Sequence, residues 1–307
     1  MSLPDDYLKY PKRRHGMDHD RYDWSMLVKR RKIVWPGDAR VALWIVPALT
    51  WYPLDSKGKP FRAPGALLNP YPDYRHYTHR DYGNRVGIFR IMKVMDDLGL
   101  KASVAMNAAV ATRYPALIEE INARAWEIIA HGVDMDKLHY GGLAPDAERA
   151  LVQEAVGTLR QRSGQKITGW LSPGKSESGN TLDLLAEAGI AYVCDWINDD
   201  MPYGVRTSHG GIHALPHPYE LDDYTILIQN HHSEADFVQQ VIDQFDALYA
   251  EAGQQGGRIM ALGLNPWVIG CPYRIKYLRQ ALTHIVSHKG VWSATGAEIL
   301  AAFRGQE

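Results

Sequence analysis

Hydrophobic residues along this chain fall into two alternating patterns. Short apolar runs of strand length are each followed by a longer stretch with helical spacing. The first strand is predicted over residues 40–46, Arg40-Val41-Ala42-Leu43-Trp44-Ile45-Val46, and is bounded by Pro47. Runs at 101–106, 126–130, 167–171, 191–194, 258–264 and 291–293 read as further strands, with shorter ones at 212–216 and 224–228. Between them, apolar positions three and four apart predict helices. The first starts at Val86, continues through Phe89, Ile91, Met92, Met95 and Leu98, and stops at Gly99. Others are predicted over 115–124, 145–162, 181–188, 235–252, 273–287 and 294–303. Repeated alternation of strand and helix is the signature of a parallel sheet wound with helices. Open doubly wound sheets and closed barrels both fit. The number of units and the length favour a barrel, in which reacting residues collect at strand C-terminal ends.

Two segments break the alternation. Residues 1–38 are rich in Pro, Arg and Asp without lasting periodicity, and read as an extended arm laid on the domain or on a neighbouring subunit. Residues 39–307 then form a single domain. Within it, residues 51–85 are dense in Pro, Tyr, His and Arg. A loop this long in a compact domain is usually functional, and this one reads as substrate-facing.

Composition narrows the classes. Charge is balanced, 34 Lys and Arg against 35 Asp and Glu, so no bulk electrostatic partner such as nucleic acid or an anionic membrane is indicated. No apolar run approaches a membrane span. Two cysteines, Cys194 and Cys271, make neither a disulfide framework nor a zinc pattern. The polar N-terminus lacks the apolar core of a secretory signal, so a cytoplasmic protein is expected. Seventeen Tyr and nine Trp against five Phe place polar-handled aromatics in a wet pocket as well as in the core.

The predicted strand ends supply the candidate chemistry. Glu127-Ile128-Ile129-Ala130-His131-Gly132 is a strand that stops at an imidazole and a glycine, delivering His131 to the mouth of the sheet. Asn265, after the 258–264 strand, is placed to hold a substrate carbonyl. Thr50, after the first strand, adds a hydroxyl for which the sequence shows no activating base. These three are the catalytic candidates. Trp51, Tyr52, Ser172, Asp195, Trp196, Trp267 and Arg274 are the substrate-binding candidates, as aromatic walls, hydrogen-bonders and a carboxylate clamp. Lys175 and His217 read as loop residues first. Scattered His and one Asp make a weak metal site. No GxGxxG or P-loop follows a strand, and no cofactor is expected.

From Arg21 to about Phe303 the chain resembles the polysaccharide deacetylase superfamily. Within it, the branch holding the metal-independent allantoinases and cyclic imide hydrolases is the most similar. The residues carrying this are Arg21-Tyr22-Asp23, Trp35-Pro36-Gly37, Asp81-Tyr82-Gly83-Asn84-Arg85-Val86-Gly87 and the His131 strand. They continue with Gly169-Trp170-Leu171-Ser172-Pro173, Asp199-Asp200-Met201-Pro202-Tyr203, Phe245-Asp246-Ala247-Leu248-Tyr249-Ala250-Glu251, Gly263-Leu264-Asn265 and Ile269-Gly270-Cys271-Pro272-Tyr273-Arg274. The resemblance implies an α/β fold, a distorted (β/α) barrel of seven or eight strands. It also implies hydrolysis of an amide or cyclic amide C–N bond, and a homo-oligomer.

Deacetylases of this superfamily bind a metal through an Asp after the first strand and an H-x-x-x-H pair after the third. Here Thr50 falls where an acid is expected, Met135 stands four residues after His131, and His139 is displaced. Asn265 replaces a late His. The expected activity is therefore a metal-independent hydrolase acting on a small cyclic amide, imide or ureide. A lyase or isomerase in the same cleft, a non-catalytic metabolite-binding relative, and a metal-dependent N-deacetylase are the alternatives.

Overall fold

The computed structural model describes residues 19–56 and 74–306. Nine strands are present among them: β1 (Val41–Leu49), β2 (Ser103–Met106), β3 (Glu127–Ala130), β4 (Gly169–Trp170), β5 (Tyr192–Val193), β6 (Tyr203–Thr207), β7 (Gly210–Ala214), β8 (Arg258–Leu264) and β9 (Val291–Ser293). They form one sheet in the order β6-β7-β5-β4-β3-β2-β1-β8, with β9 also pairing β1. All pairings are parallel except the β6–β7 hairpin. The helices are α1 (Tyr74–Tyr82), α2 (Ile88–Leu98), α3 (Ala108–Arg113), α4 (Pro115–Ala123), α5 (Pro145–Ser163), α6 (Thr181–Glu187), α7 (Glu234–Gln255), α8 (Ile275–Val286) and α9 (Gly296–Arg304).

Strand β1 is central and reads as a continuous apolar run because both of its faces are covered. Its alternation nonetheless sorts its side chains. Val41, Leu43, Ile45 and Leu49 pack toward the helices. Ala42, Trp44 and Val46 pack in a second core with Ile129, Tyr192, Cys194, Leu215, Ile259 and Ala261 from β3, β5, β8 and the end of β7. Inward residues from strands so far apart in the sheet can meet only if the sheet curls. The two cores are thus the outer and inner faces of a distorted barrel. The expected (β/α) barrel is borne out.

Extrapolating the inward column by two residues per strand predicts what reaches the mouth. Trp44-Val46-Ala48 leads to Thr50, Ile129 leads to His131, Leu215 leads to His217, and Ile259-Ala261-Gly263 leads to Asn265. The period of two, rather than any motif, aims these side chains at one place.

Some expected elements differ. Strand β1 continues through Pro47 to Leu49. On one flank its partner changes from β9 at Leu43 to β2 at Ala48, leaving a gap in the ladder where a residue without an N–H costs little. Residues 224–228 form no strand. They lie in a π-helical turn, Thr225–Gln229, because Asp222 accepts the Thr225 N–H at 2.6 Å and starts a helical chain path. The predicted 51–85 loop contains α1 and a second π-helical turn, Gly83–Gly87; residues 57–73 of it lie outside the described residues. Strand β6 carries too few apolar positions to stand out by period, and α3, though largely apolar, is too short to show one.

The described part of the arm is laid on the barrel. Arg21 pairs with Asp183 at 2.8 Å, and Arg30 with Asp199 at 2.7 Å. Trp35, 1% exposed, donates its indole N–H to the Arg258 carbonyl at 2.9 Å. Capping boxes start α7 (Ser233 with Asp236) and α9 (Thr295 with Glu298), each satisfying two otherwise orphaned N–H groups. No helix among the described residues is long and apolar enough to cross a membrane.

Candidate active site

A cleft of about 590 Å³ opens where the strands end, a size suited to a small ligand. Its lining includes Thr50, Tyr52, His131, Ser172, Asp195 and Asn265 from the predicted set, together with Arg80, Lys175, His217 and Asp222.

His131 follows directly from β3 and is 5% exposed. Its Nδ1 lies 2.7 Å from the Leu171 carbonyl on the neighbouring strand end. A carbonyl can only accept, so Nδ1 carries the proton and Nε2 keeps a lone pair. Burial, with the Lys175 ammonium adding to it, lowers the imidazole pKa to about 4, so the ring is neutral near pH 7. Gly132 has φ +69°, and a Cβ there would lie 2.4 Å from the Pro173 ring. Glycine is required for the chain to turn away beneath that proline. Asn107 ties two strand ends together: its oxygen accepts the Trp51 N–H at 2.7 Å, and its amide donates to the His131 carbonyl.

Asn265 is locked from behind. Asp223, fully buried, accepts the Asn265 backbone N–H at 2.8 Å, its side-chain amide at 2.9 Å and the Ile269 N–H at 3.0 Å. Burial, and the Asp222 carboxylate next to it, push the Asp223 pKa up to about 8 against the pull of those donors. The Asn265 amide gives one hydrogen bond to Asp223, and the residue also lines the cleft.

His217 stands edge-on to Trp44, ring centroids 5.6 Å apart. Both of its ring nitrogens are buried without a partner among the described residues. Burial holds its pKa well below the usual imidazole value. It fits only because residue 263 is glycine: a Cβ there would lie 2.9 Å from His217 Cε1 and 3.1 Å from Asp222 Cβ. The Lys175 ammonium donates to the His217 carbonyl and has no carboxylate within ion-pair range among the described residues. Burial lowers its pKa. Lys175 also adopts φ +52°, in a turn that begins at Pro173.

The Asp195 side chain accepts the Ser172 N–H at 2.8 Å, and Glu177 accepts the Trp196 indole N–H at 2.9 Å. Their other oxygens, Asp195 Oδ2 and Glu177 Oε1, are buried without a partner among the described residues, and the Asp195 carboxylate adds to the effect of burial on Glu177. Burying both as carboxylates is costly, and a proton held by the pair relieves it. Burial raises the pKa of both, which agrees.

The other predicted residues lie elsewhere. Trp51 turns to a separate cavity, with the Arg113 guanidinium 4.1 Å from its ring centre. Trp196 faces the arm, 5.6 Å from Tyr22. Trp267 is buried behind Arg80, whose guanidinium lies 4.0 Å over its ring and 4.3 Å over that of Tyr52. Arg274 is paired with Glu234 at 3.1 Å. These four do not line the cleft, so Arg80, Lys175, His217 and Asp222 take the places given to them. Arg80 belongs to the stretch read as substrate-facing, which was its only signal. Lys175 and His217 sit in Pro-containing turns that looked like ordinary loops.

The residues at the positions of the superfamily metal do not fit a divalent cation. Thr50, His131 and Met135 offer a hydroxyl, one imidazole and a thioether, and no three His, Cys, Asp or Glu side chains converge in the cleft among the described residues. The displaced His139 is fully buried, hydrogen-bonded to Glu148 at 3.1 Å and packed on Trp170.

The fold is a distorted (β/α) barrel with polar residues gathered at the strand ends. Residues 77–193 match the family model described as polysaccharide deacetylase, which bears out the resemblance carried by the motifs. A Schizosaccharomyces pombe protein named "Putative polysaccharide deacetylase" is 24% identical over 241 residues, covering 73% of this chain and 74% of its own. Two solved structures share the fold with a TM-score of 0.82 and 24% identity. One is titled "probable Polysaccharide deacetylase" from Pseudomonas aeruginosa, covering 92% of this chain and 98% of that one. The other is "Puue Allantoinase", covering 93% and 99%.

Proposed function

We propose that this protein hydrolyses a carbon–nitrogen bond in a small cyclic amide, imide or ureide, without a metal at Thr50, His131 and Met135. The observation that carries the reading is His131: a neutral imidazole with Nδ1 pinned to the Leu171 carbonyl and Nε2 left basic at the mouth. In the reaction, Nε2 takes a proton from water as its oxygen bonds to the substrate carbonyl carbon. Lys175 Nζ and the Asn265 amide face the developing oxyanion. The C–N bond then breaks, and the imidazolium returns the proton to the leaving nitrogen. Arg80, backed by Tyr52 and Trp267, forms a flat cationic wall suited to a planar ring. The matching family is named for a hydrolase, and one similar structure for an allantoinase. Both support hydrolysis and make an allantoin-like ureide the first compound to test.

The test is a screen of hydantoins, allantoin, succinimide and lactams with product masses read. Hydrolysis adds one water, whereas an isomerase adds nothing. His131→Asn keeps a donor for the Leu171 carbonyl but loses the base, and is expected to lower kcat by about 10²-fold or more. No turnover across the panel, or unchanged kcat in the variant, overturns the reading.

We also infer a homo-oligomer. Trp24 (67% exposed) and Val28 (78% exposed) lie with Met26, Leu27 and Val34 along the arm, an apolar strip suited to a second copy. A monomer in size-exclusion chromatography with light scattering refutes this.

A further inference from the structure

Far from the cleft, α7 and the end of α8 bring together Asp246, His284 and His288. One donor atom from each lies within 4.8 Å of the others, and this is the only such trio among the described residues. His284 lies in the last turn of α8 and His288 in the turn that follows it, which folds back so that the two ring centroids are 4.8 Å apart. Asp246 reaches across from α7, its Oδ1 2.9 Å from His284 Nε2.

His288 is already set up as a ligand. Its Nδ1 lies 2.9 Å from the His284 carbonyl, so Nδ1 donates and Nε2 keeps its lone pair. A backbone carbonyl on one ring nitrogen is the usual way a protein orients a metal-binding histidine through the other. Both rings are held from behind. Phe245 packs edge-on against His284 at 6.0 Å and against His288 at 5.0 Å. Tyr249 packs on His288 at 5.2 Å and is itself anchored by donating to the Lys289 carbonyl at 2.8 Å. The donors remain open to solvent: Asp246 is exposed, and both histidines are partly so.

We propose that Asp246, His284 and His288 form a site for a borderline divalent cation, zinc above all, that pins α7 to the end of α8. Two imidazole nitrogens and a carboxylate oxygen are a donor set that zinc accepts, with water completing the tetrahedron. Tetrahedral ligands at zinc distances sit roughly 3.3 Å apart. The donors therefore draw in slightly, and the His284–Asp246 hydrogen bond is exchanged for a shared ion. Strand β9 starts at Val291, just beyond His288, and pairs with Val41 at the N-terminal end of β1. The site is thus at the end of the barrel opposite the cleft. It acts on stability, and its fate is independent of the proposed hydrolysis.

The test is zinc titration of chelator-treated full-length protein by calorimetry, with thermal unfolding in parallel and cobalt as a spectroscopic probe. One ion per chain, a Tm that climbs with zinc concentration, and the visible bands of tetrahedral cobalt are expected. Asp246→Asn and the double variant His284→Asn/His288→Asn, checked for folding by circular dichroism, should bind at least tenfold more weakly. His131→Asn should bind as the wild type does. No heat and no Tm shift up to millimolar zinc overturns the proposal. So does binding unchanged in the double variant, or binding lost in His131→Asn.

Discussion

Replacing His131 with asparagine isolates how much acid sensitivity the buried imidazole brings. Its pKa is lowered to about 4 in the folded chain, chiefly by burial, against the ordinary 6.5. The folded state therefore favours the neutral ring. Stability from this group is complete above the unfolded pKa and is lost as pH falls through 6.5 toward 4. At about pH 5 the unfolded histidine is almost fully protonated and the folded one is about a tenth protonated; linkage puts the loss between about pH 7.5 and 5 at about 2 kcal/mol. The complete difference, reached below both values, is about 3 kcal/mol. Asparagine keeps an N–H for the Leu171 carbonyl and does not titrate. Urea unfolding of both proteins at the two pH values gives the double difference. The buried acids Asp195, Asp222 and Glu127 have raised pKa values and act in the opposite direction, but they are common to both proteins and cancel. A difference of about 2 kcal/mol in the pH dependence is expected. Parallel behaviour of wild type and variant refutes a buried neutral His131.

Four further outcomes follow from packing and charge. Gly263→Ala pushes a methyl to 2.9 Å from the His217 ring, and should lower stability by about 1–3 kcal/mol in urea and reduce turnover together. Trp35→Ala empties a site that is 1% exposed and removes the indole hydrogen bond to the Arg258 carbonyl; a loss of about 3–5 kcal/mol is expected, and one below about 1 kcal/mol would show that the arm does not brace the barrel. Glu177→Gln supplies permanently the hydrogen that the Asp195 pair shares. Because burial raises the Glu177 pKa, wild-type stability falls as pH rises above the ordinary carboxylate range, and the variant should escape that fall; a variant less stable than wild type at alkaline pH contradicts the shared proton. Lys175→Met removes the ammonium that the proposed reaction places at the oxyanion and takes its donor from the His217 carbonyl, so kcat should drop by about tenfold or more, with a stability loss of about 1–3 kcal/mol in urea; an unchanged kcat refutes the role.

Much of the fold was legible because its signals are local. The apolar run of β1, the helical spacing from Val86 to Leu98 and the Gly99 stop each depend on residues within one element. The misread segments are those where local cues conflict. Residues 224–228 have strand-like composition, yet Asp222 captures the Thr225 N–H and turns the chain into a helical path. Pro47 reads as a strand end, yet the change of neighbour from β9 to β2 leaves room for it inside β1.

The sequence by itself determined that strands alternate with helices, and that His131, Thr50 and Asn265 stand at strand ends. Only the tertiary structure decided which side chains share the cleft. Period two aims Thr50, His131, His217 and Asn265 inward, but they meet because the sheet curls, and curling is a property of all the strands together. The same holds for partners distant in the chain. Glu177 is kept protonated by burial beside Asp195, Asn265 is fixed by Asp223, and Lys175 is held by the His217 carbonyl. Trp51, Trp196, Trp267 and Arg274 carry suitable chemistry and adjacent positions, yet each is drawn away by a partner the sequence does not reveal: Arg113, Glu177, Arg80 and Glu234. Position along a strand sets a side chain's direction, while its neighbours and its proton depend on burial and contacts that exist only after the sheet has closed.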